Sequence, residues 1–160
     1  MHNSKFFISI FEKTLNKKGN VFRVVGADAW KEKFTKLKTF LNKTPNYEGV
    51  SYRGLKFADR ADLDTFLTRF SKDNIVEANS FWSATTEKKI AQGFAKGSHA
   101  RHRVNITIEG KTGTILNEYA RWKNEKEVLF NAGTKFRVKS VKGGVSKAKE
   151  QIVNMVLEEI

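Results

Sequence analysis

The chain is 160 residues long and sets 30 Lys and Arg against 17 Asp and Glu, a formal net charge of +13. Apolar residues make up 39% and aromatics 12%, which is enough to bury a core and too much for intrinsic disorder. With no Cys and only His2, His99 and His102, a disulfide framework, a Cys/His zinc site and thiol chemistry are all excluded, and no metal is expected. The length suits one domain over residues 1–160 with a helical part over about 1–45. No apolar run reaches the roughly 20 residues of a membrane span. Phe6 to Phe11 is too short and poorly flanked for a secretory signal, so a cytoplasmic chain without a membrane partner is expected.

Helical spacing dominates the first third. Asn3 or Ser4 can cap a helix that carries Phe7, Ile8, Phe11 and Leu15 on one stripe, with Gly19 placed to end it. A second helix shows Trp30, Phe34, Leu37 and Leu41 on one face, and Pro45 lies just beyond it. Leu63, Phe66, Leu67 and Phe70 predict a short third helix. From Gly49 onward the period moves toward two. The predicted strands are Val50 to Phe57, Ile75 to Ser83, Val104 to Ile108, Thr114 to Leu116, Glu127 to Phe130, Thr134 to Val141 and Ile152 to Leu157. The last segment, Lys147 to Glu159, can also be read as a helix. One helix interrupts the strands, capped by Thr85 or Thr86, with Ile90 and Phe94 on its inward edge before Gly97. Between Ile108 and Glu127 a stretch with Gly110, Gly113, Tyr119, Arg121 and Trp122 reads as a partly exposed loop.

Helices first and strands afterwards predict an α+β fold with mostly antiparallel pairing. Neither GxGxxG nor GxxxxGK[ST] is present, so a nucleotide would be held by something other than a glycine-rich loop at a helix start. Charge is spread evenly, 15 basic and 9 acidic residues in 1–80 against 15 and 8 in 81–160. Such a surface favours nucleic acid, acidic proteins or a phosphorylated cofactor, or serves solubility alone.

Three short stretches can carry chemistry. In Asn124-Glu125-Lys126-Glu127-Val128-Leu129-Phe130, strand alternation puts Glu125 and Glu127 on one face, where like charges raise at least one pKa. The bland alternative is a charged strand edge. In Ser51-Tyr52-Arg53-Gly54, a guanidinium fork suited to phosphate stands beside a residue that lets a ligand approach the backbone; the alternative is a surface ion pair. In Phe81-Trp82-Ser83-Ala84-Thr85-Thr86, hydroxyls at a strand end can orient a polar ligand or a carboxylate. Otherwise they cap the following helix, with Phe94 in the core.

In this order and spacing the three stretches resemble the arginine-serine-glutamate class of mono-ADP-ribosyltransferases, over most of the chain. Arg53 of YRG stands for the early-strand arginine, Ser83-Ala84-Thr85 for Ser-Thr-Ser with its central Thr replaced by Ala, and Glu125-Lys126-Glu127 for Glu-x-Glu. Gly93-Phe94-Ala95 and Gly133-Thr134-Lys135-Phe136-Arg137-Val138 continue the pattern. The resemblance implies N-terminal helices followed by two small, mostly antiparallel sheets that form an NAD cleft, with NAD as substrate. It implies transfer of ADP-ribose to an arginine of a target protein with release of nicotinamide. By similarity, Glu127 would stabilise the ribosyl cation and hydrogen-bond its hydroxyl, Arg53 and Gly54 would hold the phosphate or ribose side, and Ser83 would position Glu127. Thr85 would join the cofactor contacts and Phe94 would pack on nicotinamide. Glu125 would orient the acceptor guanidinium and take its proton, and Tyr119, Arg121 and Trp122 would contact the target. The resemblance suggests a phage or bacterial effector acting on an acidic or nucleic-acid-associated host or competitor protein, with an immunity protein as a further partner. An NAD glycohydrolase and a noncatalytic basic nucleic-acid-binding module are the alternatives.

Overall fold

The computed structural model describes residues 20–95, 102–116, 126–145 and 151–160. Three helices, α1 (Asn20–Lys43), α2 (Arg60–Arg69) and α3 (Lys88–Ala95), accompany seven strands. These are β1 (Tyr47–Phe57), β2 (Ile75–Glu77), β3 (Trp82–Thr85), β4 (His102–Ile115), β5 (Glu127–Phe130), β6 (Lys135–Val145) and β7 (Gln151–Glu159). The helix expected around Phe7 to Leu15 lies outside the described residues. The strand order is β1-β3-β5-β4-β7-β6-β2, with β1 also paired to β4. The two expected sheets are therefore leaves of one network, a smaller one of β1, β3 and β5 and a larger one of β4, β7, β6 and β2, joined where β1 and β5 pair with β4. All pairings are antiparallel except β4 with β7.

Two expected boundaries move. Val104 to Ile108 and Thr114 to Leu116 are not separate strands: β4 runs unbroken through Gly110 and Gly113, which pair with Gly49 and Tyr47 of β1. These glycines do not turn the chain. They make room, because a β-carbon on Gly110 would come 2.9 Å from the Phe130 ring. Conversely, Ile75 to Ser83 is not one strand. The Ala78 amide donates to Thr134 and its carbonyl accepts from Gly133, both at 2.8 Å, and the exposed Asn79 and Ser80 then carry the chain away. As a result β2 lies at one end of the strand order, and β3 lies between β1 and β5 near the other. The last segment is the strand β7 and not a helix.

Alternation sorts the strands into a core face and an outer face. Val104, Ile106 and Ile108 of β4 and Val153, Met155 and Leu157 of β7 are buried against α2, whose Leu63 is fully enclosed. Asp59 caps α2 by accepting from the Ala61 amide at 2.9 Å. An aromatic run crosses this core from Phe57 to Phe66, Phe70, Trp82, Phe136 and Phe130, with ring centroids 4.2–6.0 Å apart. A second cluster seats α1 on the smaller leaf, with Leu37 and Leu41 packed among Phe81, Leu116 and Leu129. Asn131 ties the helix down by donating to the Lys38 carbonyl at 3.1 Å and to Asn42 Oδ1 at 2.8 Å. Near the C-terminal end of β4, the buried Glu159 carboxylate accepts from the Lys111 and Thr112 amides at 2.7 and 2.9 Å and from the Thr112 hydroxyl. That arrangement satisfies a charge that would otherwise be costly to bury.

Candidate functional site

The smaller leaf brings together residues distant in sequence. Thr85 pairs with Glu127 of β5 on one side and with Tyr52 of β1 on the other, so Tyr52, Thr85 and Glu127 form one row across three strands. Glu127 is 5% and Thr85 3% exposed, so a carboxylate and a hydroxyl sit side by side out of bulk water. Leu129 follows Glu127 on the same face and packs against α1, which therefore stands on the side to which Glu127 points.

Arg53 follows Tyr52 on β1 and turns toward β3. Its Nη1 donates to the Ser83 carbonyl at 2.7 Å, and its guanidinium carbon lies 5.6 Å from the centroid of the Trp82 ring. Trp82 in turn stacks on Phe136 at 5.1 Å. A hydrogen bond and an aromatic face thus help to hold the guanidinium, and the core sets its position. Beside it opens a cavity of about 220 Å³ lined by Tyr52, Arg53, Lys88, Gln92, Asn105 and Lys142, among others. Among the described residues its lining includes three cations and no carboxylate, a setting that favours an anion.

Lys126 introduces β5 in an unusual way. It is one of two described non-glycine residues with positive φ, at 44°. The extended strand begins at Glu127, and the shared face expected for Glu125 and Glu127 lies outside the described residues. The Lys126 carbonyl accepts from the Thr86 amide at 2.9 Å, and its ammonium reaches Glu87 Oε1 at 2.6 Å. That hydrogen bond, together with the adjacent positive charge, holds the Glu87 carboxyl below its ordinary value.

Of the residues singled out in the sequence, Arg53, Gly54, Ser83, Thr85 and Glu127 fall on β1, β3 and β5. Thr85 is the cross-strand neighbour of Glu127, whereas Ser83 sits opposite Leu129. Gly54 pairs with Asn105. Phe94 lies within α3, but its side chain, like Tyr119, Arg121, Trp122 and Glu125, is outside the described residues. Thr85 also serves the following helix, its hydroxyl accepting from the Glu87 amide at 3.1 Å. Trp82, Glu87 and Lys126 were not foreseen as parts of this arrangement. Only the aromatic next to Ser83 offered a signal for any of them. Among the described residues, no three His, Asp or Glu converge as metal ligands, and no described helix is long and apolar enough to cross a membrane.

Known proteins share this sequence pattern and this fold. Residues 9–158 match the family model of the ADP-ribosyltransferase exoenzymes. Mav of Mycobacterium avium, named for NAD(+)–arginine ADP-ribosyltransferase activity, is 32% identical over 104 residues, 65% of this chain and 12% of that protein. Vis of Vibrio splendidus, named for the same activity, is 28% identical over 128 residues, 74% of this chain and 47% of that protein. The chain thus spans less than half the length of either relative. A solved structure of Vis superimposes with a TM-score of 0.69 at 22% identity, over 96% of this chain and 67% of that one. Vis has also been solved with agmatine (TM-score 0.64, 20% identity, over 89% of this chain and 64% of that one). Exoenzyme S of Pseudomonas aeruginosa, solved with human 14-3-3 protein beta and carba-NAD, gives 0.62 at 18% identity, over 96% of this chain and 72% of that one. With the family model matched over nearly all of its length, the chain belongs to the ADP-ribosyltransferase exoenzyme family.

Proposed function

We propose that this chain transfers ADP-ribose from NAD to an arginine side chain of a target protein and releases nicotinamide. The observation that carries the reading is the row in which Glu127 pairs with Thr85 and Thr85 with Tyr52, the residue that precedes the anchored Arg53 on β1. In the reaction the ribosyl C1′–N bond breaks and its electron pair returns to the nicotinamide nitrogen, so the leaving group departs neutral and needs no acid. The barrier is the cation left on the sugar. A buried, fixed carboxylate is the group that lowers it. Glu127 fills that role, with its charge set by β5 and flanked by Thr85. Arg53 grips the dinucleotide phosphates. The cation-lined cavity at its side takes part of that anion, being smaller than the ~300–1,000 Å³ of a typical ligand pocket. Ser83 and Gly54 complete the contacts, and Phe94 packs on nicotinamide.

Arginine as acceptor rests on Glu125, which would orient a permanently protonated guanidinium and take its proton as the new C–N bond forms. The naming of Mav and Vis and the agmatine complex of Vis support the same acceptor. Tyr119, Arg121 and Trp122 are the target contacts. A nucleic-acid-binding platform would need aromatics interleaved with Lys and Arg on an open sheet. Here Phe57, Phe66, Phe70, Phe130 and Phe136 pack into the core instead.

The test is incubation with NAD labelled in its adenylate half, with agmatine as acceptor. Nicotinamide release together with label on agmatine, and none on cadaverine, is the expected result. Nicotinamide release with label on neither agmatine nor lysate protein would make the chain a glycohydrolase. A second prediction concerns Arg53. Arg53→Lys keeps the charge but loses the planar fork that both meets Ser83 and faces phosphate, so kcat/KM for NAD falls by about 10²-fold, mostly through KM. Steady-state kinetics at varied NAD would show this, and an unchanged KM would remove Arg53 from the phosphate site.

A further inference from the structure

We infer that Lys126 and Glu87 form a clasp that positions Glu127, an inference that rests on the transferase reading. Three links join residues 85–87 to residues 126–127. Thr85 is in register with Glu127, the Thr86 amide donates to the Lys126 carbonyl at 2.9 Å, and Lys126 Nζ meets Glu87 Oε1 at 2.6 Å. Glu87 is itself held. Its amide donates to the Thr85 hydroxyl, and its carbonyl accepts from the Ile90 and Ala91 amides at 3.0 and 3.4 Å at the start of α3. The carboxylate that Lys126 reaches is therefore carried on ordered backbone.

Lys126 occupies a left-handed conformation that glycine or asparagine adopts more readily than lysine. A lysine there supplies what those residues lack, a long side chain that bridges to α3. The backbone at position 126 also sets the direction in which the Glu127 side chain leaves the strand. The ion pair is half exposed, 52% for Lys126 and 46% for Glu87, so it adds little to global stability. Its consequence is geometric. Catalytic carboxylates tolerate displacements well below 1 Å, and a 1 Å error can cost on the order of 10²-fold in rate. Lys126 and Glu87 touch no reacting atom in this account and act through Glu127, as positioning residues.

Lys126→Gly separates this role from backbone shape, since glycine takes up the same φ without penalty while losing the bridge. Lys126→Gly and Glu87→Gln should each lower kcat for nicotinamide release about 10-fold, with KM for NAD within about twofold. Their melting temperatures should stay within about 2 °C of the parent. Lys126→Arg, which keeps the bridge, should retain kcat within about twofold, and Lys126→Gly with Glu87→Gln should lose no more than either single change. Parental kcat in Lys126→Gly overturns the clasp, as does a loss of kcat that tracks a loss of melting temperature. A parent that releases no nicotinamide from NAD overturns the transferase reading and the clasp together, whereas an active parent with equally active variants overturns the clasp alone.

Discussion

Replacing Glu127 by Gln should reduce nicotinamide release about 10³-fold in kcat while NAD binding stays within a few-fold of the parent. The substitution preserves size and hydrogen-bonding shape and removes only the charge, at a position 5% exposed that is fixed by pairing with Thr85. A charge so shielded acts through low local dielectric, and no surface carboxylate can replace it. Binding is spared because the phosphates, held by Arg53, supply the grip in the proposed site. Steady-state nicotinamide release and calorimetric titration with NAD separate the two effects. A variant that keeps more than a tenth of the parental kcat would show that the anion facing the sugar lies elsewhere.

The second large effect is on stability. Phe136 is fully buried, stacks on Trp82 at 5.1 Å and meets the Phe130 ring edge-on at 5.3 Å. Phe136→Ala should destabilise the fold by about 3–5 kcal/mol through lost transfer energy and the cavity left behind. The melting temperature should fall by roughly 10 °C. Urea unfolding measures the first quantity and a thermal scan the second. A loss under about 1 kcal/mol would mean the aromatic run does not carry the core. Because Trp82 also faces the Arg53 guanidinium, the same cavity loosens one of that guanidinium's supports.

Elements whose burial is one-sided were legible from residue order alone. Leu37 and Leu41 mark the buried face of α1, Leu63 and Phe70 that of α2, and Val104, Ile106 and Ile108 that of β4, because each stripe repeats at its own local period. The motifs around Arg53, Ser83 and Glu127 were equally visible as letters, and their order carried the family. Local reading failed where long-range pairing overrides it. Gly110 and Gly113 read as part of a partly exposed loop but lie within β4, because β1 pairs alongside and Phe130 needs the space. The run from Ile75 to Ser83 looked continuous but divides, because hydrogen bonds from residues 133 and 134 draw off Ala78.

Residue types and their periods specify helix stripes, strand faces and the candidate chemical groups, since these depend on neighbours a few positions away. Which hydroxyl meets Glu127, that Trp82 underlies Arg53, and that Lys126 takes a left-handed turn to reach Glu87 depend on contacts across 29 to 42 residues of chain. Register and side-chain reach between distant strands are set by packing the whole core at once, and no local pattern encodes them.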